Sequence, residues 1–278
     1  MKILLLGSKG QVGQHLYDFL KSKHDVFGFD LVNSTKEDLR LYNNKKFINL
    51  IKKSDFVFFL AFDVGGSTYL KNYQKQYSFL MNNLLIMQNV FLQLKKTKKK
   101  FIFASSQMSN MTHSSYGILK KIGENLTESL GGISVKFWNV YGIEKDMTKA
   151  HVITDFIIKG IKNHEVKMQT NGLESRDFLY ADDCCSGLEI IMNNYSKLKK
   201  NKTIDLHSGK FFKIKEVAKI ISKLFLNKGK LVKFLPSKKQ DTIQININNK
   251  GSKFFFKYWK PKYTLSDGIS KVFNYYSK

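Results

Sequence analysis

Two rhythms of apolar and polar positions alternate along the chain. Ile3-Leu4-Leu5-Leu6 is an unbroken apolar run between Lys2 and Gly7, the pattern of a strand buried on both faces. Val12, Leu16, Phe19 and Leu20 then recur at helical spacing, and a second apolar run closes at Asp30. Further on, residues 55–61 read as a buried strand and 82–95 as a helix with Leu84, Leu85, Gln88, Phe91 and Leu94 in phase. Residues 101–106 predict a strand, 116–130 a helix and 133–141 a strand again. Alternation of this kind predicts a parallel sheet with helices on both faces and ligands at the carboxyl ends of the strands. Past Gly142 the rhythm loosens into helix patterns over 152–163, 181–194 and 215–226. The expected architecture is α/β and doubly wound. Residues 1–142 form the sheet domain and 143–278 a smaller lobe, with part of 172–190 packing back on the first.

The first strand runs directly into Gly7-Ser-Lys-Gly10-Gln-Val-Gly13. A helix starting at such a turn presents unpaired N–H groups and the positive end of its dipole, both suited to pyrophosphate. Asp30 lies seventeen residues beyond Gly13, where a carboxylate can take both hydroxyls of an adenosine ribose and repel a 2′-phosphate. The spacing is Gly-x-x-Gly-x-x-Gly, and Lys9 in the loop would favour a 2′-phosphate, but in a chain so rich in lysine Asp30 is the more informative residue. The pattern therefore predicts a Rossmann-type domain that binds NAD through Gly7, Gly10, Gln11, Val12, Gly13 and Asp30.

Charge changes this picture little. The chain has 278 residues and a net charge of +25, which invites a nucleic-acid reading, yet only Arg40 and Arg176 among its 47 basic residues are arginine. Base readout relies on the bidentate guanidinium fork, so no nucleic-acid partner is expected. No apolar run approaches the roughly 18 residues of a membrane span, and the N-terminus enters the first strand directly, so neither membrane insertion nor a signal peptide is expected. Cys184 and Cys185 are adjacent, which excludes an ordinary bridge between them and fits a reducing cytoplasm. No metal is expected.

Candidate chemistry sits in the middle of the chain. Tyr116 and Lys120 stand four residues apart, on one face of a predicted helix. A phenol is a poor base at neutrality, and a neighbouring ammonium should draw its pKa toward working pH. Ser105 and Ser106 end the preceding strand at the edge that carries the glycine turn. A hydroxyl there can hold the substrate oxygen from which Tyr116 removes a proton.

These segments together resemble an extended short-chain dehydrogenase/reductase of the nucleotide-sugar epimerase/dehydratase family. Lys136-Phe-Trp-Asn139-Val-Tyr-Gly142 is similar to its Arg-x-x-Asn-Val-Tyr-Gly stretch, Arg176-Asp-Phe-Leu-Tyr-Ala-Asp-Asp183 to its Arg-Asp-Phe-x-x-Val-Asp-Asp stretch, and Trp259-Lys-Pro to its Trp-x-Pro ending. The resemblance implies that Ser106, Tyr116 and Lys120 are catalytic and that Asp38 and Leu39 join Tyr116 and Lys120 at the cofactor. It also implies that Ser106, Asn139, His151 and Arg176 hold a nucleoside-diphosphate sugar, Arg176 by bidentate contact with pyrophosphate. A homodimer formed by the helices at 82–95 and 116–130 is a further implication.

Departures narrow the reaction. The acid–base pair of sugar dehydratases is replaced by Gln107 and Met108, which cannot move the protons needed to expel water. Fucose-synthase-like enzymes pair a cysteine with a histidine; Gln107 stands near the cysteine position, while His151 matches the histidine. Oxidation of one sugar hydroxyl, most plausibly at C4, followed by return of the hydride remains, which gives an NAD-dependent epimerase. A 4-keto-sugar reductase or dehydrogenase on the same scaffold is the alternative.

Overall fold

The computed structural model describes residues 1–244 and 250–278. Its elements are, in chain order, β1 (Lys2–Leu6), α1 (Gln11–Leu20), β2 (Asp25–Phe29), α2 (Lys45–Lys53), β3 (Phe56–Phe59), α3 (Ser67–Tyr73) and α4 (Tyr77–Thr97). There follow β4 (Lys100–Ser106), α5 (Ser115–Ser129), β5 (Ile133–Phe137), β6 (Asn139–Tyr141), α6 (Val152–Asn163), β7 (Glu165–Lys167) and β8 (Ser175–Tyr180). The remainder is α7 (Ala181–Asn193), α8 (Tyr195–Leu198), β9 (Thr203–Leu206), β10 (Phe211–Lys213), α9 (Ile214–Leu226), β11 (Lys233–Leu235) and α10 (Leu265–Tyr276).

The main sheet has the order β2-β1-β3-β4-β5-β9, with every pairing parallel. Its central strands β1 and β3 are apolar but for Lys2 because both of their faces are covered. Ile3 and Leu5 enter one core with Leu16 and Leu20 of α1 and Leu188 of α7, whereas Leu4 and Leu6 enter the other with Val90 of α4 and Leu119 of α5. Phe56 and Phe58 divide from Val57 and Phe59 in the same way. This period of two is the geometric signature of a strand between two layers. Each such side chain contributes roughly 1.5–3 kcal/mol by its burial.

A second, three-stranded sheet, β10-β8-β6, and a two-stranded ribbon, β11-β7, carry the smaller lobe. Its own core packs α6, α9 and α10 around Ile153, Ile157, Val217, Ile221 and Ile269. The main sheet draws on residues beyond 142: β9 is its sixth strand, and Cys184, Cys185 and Leu188 of α7 sit in the same core as α1. Both cysteines are buried, free thiols.

The strand predicted over 133–141 is in fact two. β5 ends at Phe137 beside β9, and β6 then pairs with β8 in the second sheet. The break falls at Trp138, whose indole N–H donates to Asp205 Oδ1 at 3.0 Å. An apolar run says how deeply a segment is buried, but nothing about which sheet it joins.

Candidate active site

One cavity of about 880 Å³ runs along the carboxyl edge of the main sheet and under the smaller lobe. The glycine turn, Asp30, Asp38, Leu39, Ser106, Tyr116, Lys120, Asn139, His151 and Arg176 all line it. Every residue singled out from the sequence for cofactor or substrate therefore faces a single space.

At one end, Gly7 has φ of +85°, and a Cβ on Gly13 would lie 2.0 Å from the Gly7 carbonyl oxygen. Only glycine permits the loop to fold so tightly onto the start of α1. Gly10 is the N-cap and supplies no side-chain bond, so the first-turn N–H groups are left for a ligand. The Asp30 carboxylate is fixed by backbone donors: Lys9 N–H reaches Oδ2 at 2.8 Å and Val32 N–H reaches Oδ1 at 3.0 Å. Each oxygen keeps a lone pair for a ribose hydroxyl. Asp38 is held by Arg40, whose Nη2 lies 2.7 Å from Oδ2, and Arg40 is anchored in turn by Asn82. A glycine cradle that any Cβ would fill, an uncapped helix start and a pinned carboxylate fit the pyrophosphate and ribose of NAD.

Chemistry is concentrated in the middle of the cavity. Ser106 ends β4 and accepts the Met108 N–H at 3.1 Å. Its hydroxyl proton is thereby directed elsewhere, and Ser106 shares a hydrogen bond with Tyr116. Ser105 turns the other way and donates to the buried Glu124 at 2.6 Å, which leaves it a structural neighbour. Lys120 is buried one turn below Tyr116, donates to the Ala104 carbonyl at 2.7 Å and lies 3.6 Å from the centre of the Phe62 ring.

Here the structure corrects one expectation. Burial pushes the Tyr116 phenol up to about 12, against the lowering effect of Ser106. Burial likewise pushes the Lys120 ammonium down to about 7, against the pull of Glu124. Lys120 Nζ points at a carbonyl and stands 5.7 Å from the Tyr116 ring centre, so desolvation outweighs its charge on the phenol. The geometry for a serine–tyrosine–lysine relay is present; the phenol's ionisation must come with the loaded site.

The substrate half holds partners that the sequence did not reveal. His151 caps α6, and its Nδ1 lies 2.6 Å from Oε1 of Glu144, while its N–H donates to Oε2 at 3.0 Å. Burial would raise Glu144, yet its bonds to His151 and Thr154 hold it below the usual carboxylate range. Tyr276 of α10 clamps the Glu144 backbone, accepting from N at 2.7 Å and donating to O at 2.6 Å. Its distance in sequence hides this contact.

Arg176 lies in the cavity on β8, but its guanidinium is ion-paired with Asp241 and also donates to Ser175 O at 2.7 Å. An incoming pyrophosphate must share or displace Asp241. Asn139 makes a long contact, 3.4 Å, to Asp177 O. Lys136, at the family's arginine position, bonds Asn110 at 3.2 Å and lies 3.5 Å from Glu124, outside the cavity lining.

Known proteins with similar sequences and folds agree with this geometry. Residues 3–206 match the model of the NAD dependent epimerase/dehydratase family. The chain is 26% identical to a GDP-L-colitose synthase of Yersinia pseudotuberculosis over 99% of its own length and 98% of the relative's. It is equally 26% identical to a putative UDP-glucose 4-epimerase of Methanocaldococcus jannaschii, covering 98% and 97% of the two chains. Among solved structures it superposes on a GDP-6-OMe-4-keto-L-xylo-heptose reductase of C. jejuni with a TM-score of 0.82 at 19% identity, covering 99% of this chain and 97% of the other.

Proposed function

The chain belongs to the NAD dependent epimerase/dehydratase family, and from that premise we propose that it is a nucleotide-sugar epimerase that oxidises one sugar hydroxyl, at C4, and returns the hydride to the opposite face. The observation that carries this reading is the convergence of Ser106, Tyr116 and Lys120 with the glycine turn and Asp30 on one cavity. NAD supplies the hydride acceptor and donor when bound. Gly7, Gly10, Gln11, Val12 and Gly13 would hold its pyrophosphate, Asp30 its ribose, and Asp38 and Leu39 its adenine.

Tyr116 takes the proton from the sugar hydroxyl as the carbonyl forms and gives it back when the carbonyl is reduced. Ser106 holds that same oxygen, its own hydroxyl already oriented by the Met108 N–H. Lys120 provides a cation beneath the phenol, sealed from water by Phe62 and Phe103. Asn139 and His151 position the sugar, and Arg176 takes the diphosphate. The cavity's 880 Å³ gives a keto-sugar room to turn between the two hydride transfers.

A second reading, reduction of a 4-keto nucleotide sugar with net consumption of cofactor, is favoured by the names of well-covered relatives. They include the heptose reductase above and a GDP-mannoheptose C4 reductase of Campylobacter jejuni. One experiment decides. The protein is incubated with UDP-, GDP-, CDP- and dTDP-sugars and their 4-keto forms while products and nicotinamide absorbance are followed. A new isomer without net absorbance change is expected. Stoichiometric change establishes the second reading, and no turnover of any sugar overturns both.

The same reading includes a homodimer. Ile118, Ile122 and Leu126 form an exposed stripe on α5, and Leu84 is exposed on the neighbouring α4. A cytoplasmic setting goes with the buried free thiols.

A further inference from the structure

One buried polar atom in the lining of this cavity, Oε2 of Glu174, has no hydrogen-bond partner among the described residues. Glu174, Arg176 and Phe178 line it, whereas Ser175 and Asp177 between them do not. Alternation of this kind means that the three side chains leave the strand on one face. Glu174 extends the ladder of β8, its carbonyl accepting the Ile214 N–H at 3.1 Å. At about 3.3 Å per residue its Cα stands roughly 7 Å from that of Arg176. The two side chains therefore enter the cavity one pleat apart on the same strand, so a ligand seated on Arg176 extends past Glu174.

The Glu174 carboxylate is only half satisfied. Oε1 accepts the Thr170 hydroxyl, while Oε2 is buried and has no hydrogen-bond partner among the described residues. The nearby guanidinium of Arg176 attracts the Glu174 carboxylate by charge but gives its hydrogen bonds to Asp241 and Ser175 O, so Oε2 is left without a donor. A buried acceptor without a donor is costly, the more so when it carries charge. Something that brings donors would stabilise it.

Nucleobases differ in what they offer a carboxylate. Guanine presents two adjacent donors, N1–H and the 2-amino group, spaced to meet both oxygens. Uracil and thymine present a single N–H flanked by two carbonyls, which a carboxylate repels. Cytosine and adenine place their one amino group beside a ring-nitrogen acceptor. Met168 and Ile214, both buried and both lining the cavity, supply an apolar bed for the ring.

We infer that Glu174 is the base-selecting residue of this site and that the substrate is a guanosine diphosphate sugar, its guanine edge held by the Glu174 carboxylate while Arg176 exchanges Asp241 for the diphosphate. The inference rests on the nucleotide-sugar reading above.

Calorimetric titration tests it on the whole protein in saturating NAD, so that a second nucleotide enters only the substrate half. GDP should bind about tenfold or more tightly than UDP, dTDP or CDP. Inosine diphosphate, which lacks the 2-amino group, should lose about tenfold relative to GDP on the unaltered protein, a comparison that needs no folded variant. Glu174→Gln should abolish the preference for GDP while leaving UDP affinity within about twofold. Equal affinities, preference for another base, or an undiminished preference in Glu174→Gln overturns the assignment while the nucleotide-sugar reading stands. Failure of every diphosphate to bind overturns both.

Discussion

Burial drives apart two groups whose ordinary pKa values nearly coincide: Tyr116 moves up to about 12 and Lys120 down to about 7. For Lys120 the consequence is thermodynamic as well as catalytic. A cation whose folded pKa is depressed binds its proton less readily folded than unfolded, so stability rises with pH between about 7 and the ordinary lysine value. Lys120→Met should therefore be more stable than the unaltered protein at pH 6, by a few kcal/mol on the order of the shift. That advantage should shrink as pH rises to 10. Urea unfolding at pH 6, 8 and 10 measures it, and a constant difference would remove the buried-charge account. Tyr116→Phe should lose about 10²- to 10⁴-fold in turnover while still binding NAD and nucleoside diphosphate. Product assays beside calorimetry would show this, and retained turnover would exclude Tyr116 as the base. Most of the cavity's lining was legible at this scale because it rests on local spacing: four residues bring Tyr116 over Lys120, and three place Gly10 and Gly13 at one turn. Glu144, Glu174 and Asp241 were not legible. Their partners are set by folding, and an isolated acidic residue carries no pattern.

The element that most constrains the site is the start of α1. Because a Cβ on Gly13 would fall 2.0 Å from the Gly7 carbonyl, Gly13→Ala must push the loop away from the helix. Loss of NAD binding by at least tenfold, with about 1–3 kcal/mol lost from stability, is expected. Calorimetry and denaturant unfolding together would detect both, and an unchanged affinity would show that the turn does not cradle the cofactor. Elements with strong periodicity, such as α6 and α9, stand within a residue of where the pattern puts them. The segment 133–141 does not, since its division between two sheets depends on β8 and β9, which lie far along the chain. Short strands such as β7 and β11 carry too few residues to show any period at all.

At the scale of the whole molecule, one buried cluster ties the second sheet to the first. Asp177 of β8 accepts from Ser208 N and Gly209 N, both at 2.8 Å, and faces His207 Nδ1 at 3.0 Å just beyond β9. Desolvation lowers His207, but the hydrogen bond and charge of Asp177 more than offset it, and the net shift is upward. A raised folded pKa means that this stabilisation is complete below about 6.5 and fades as pH climbs through the higher folded value. The stability of the unaltered protein relative to His207→Gln should accordingly fall between pH 6 and pH 8, as read from unfolding midpoints of the two proteins; a difference that does not change with pH would sink the assignment. The exposed stripe on α5 makes a second whole-molecule prediction. Ile122→Asp should convert a dimer to a monomer in sedimentation velocity, whereas a monomeric unaltered protein would refute the pairing.

Tyr276 lies in the last turn of α10, far along the chain from residue 144, yet its phenol grips the turn that carries Glu144 and, through it, His151. The end of α10 is thus a wall brace for the pocket. A substitution that unwinds the last turn of α10 would therefore loosen the wall that carries His151, although it replaces none of the residues lining the cavity.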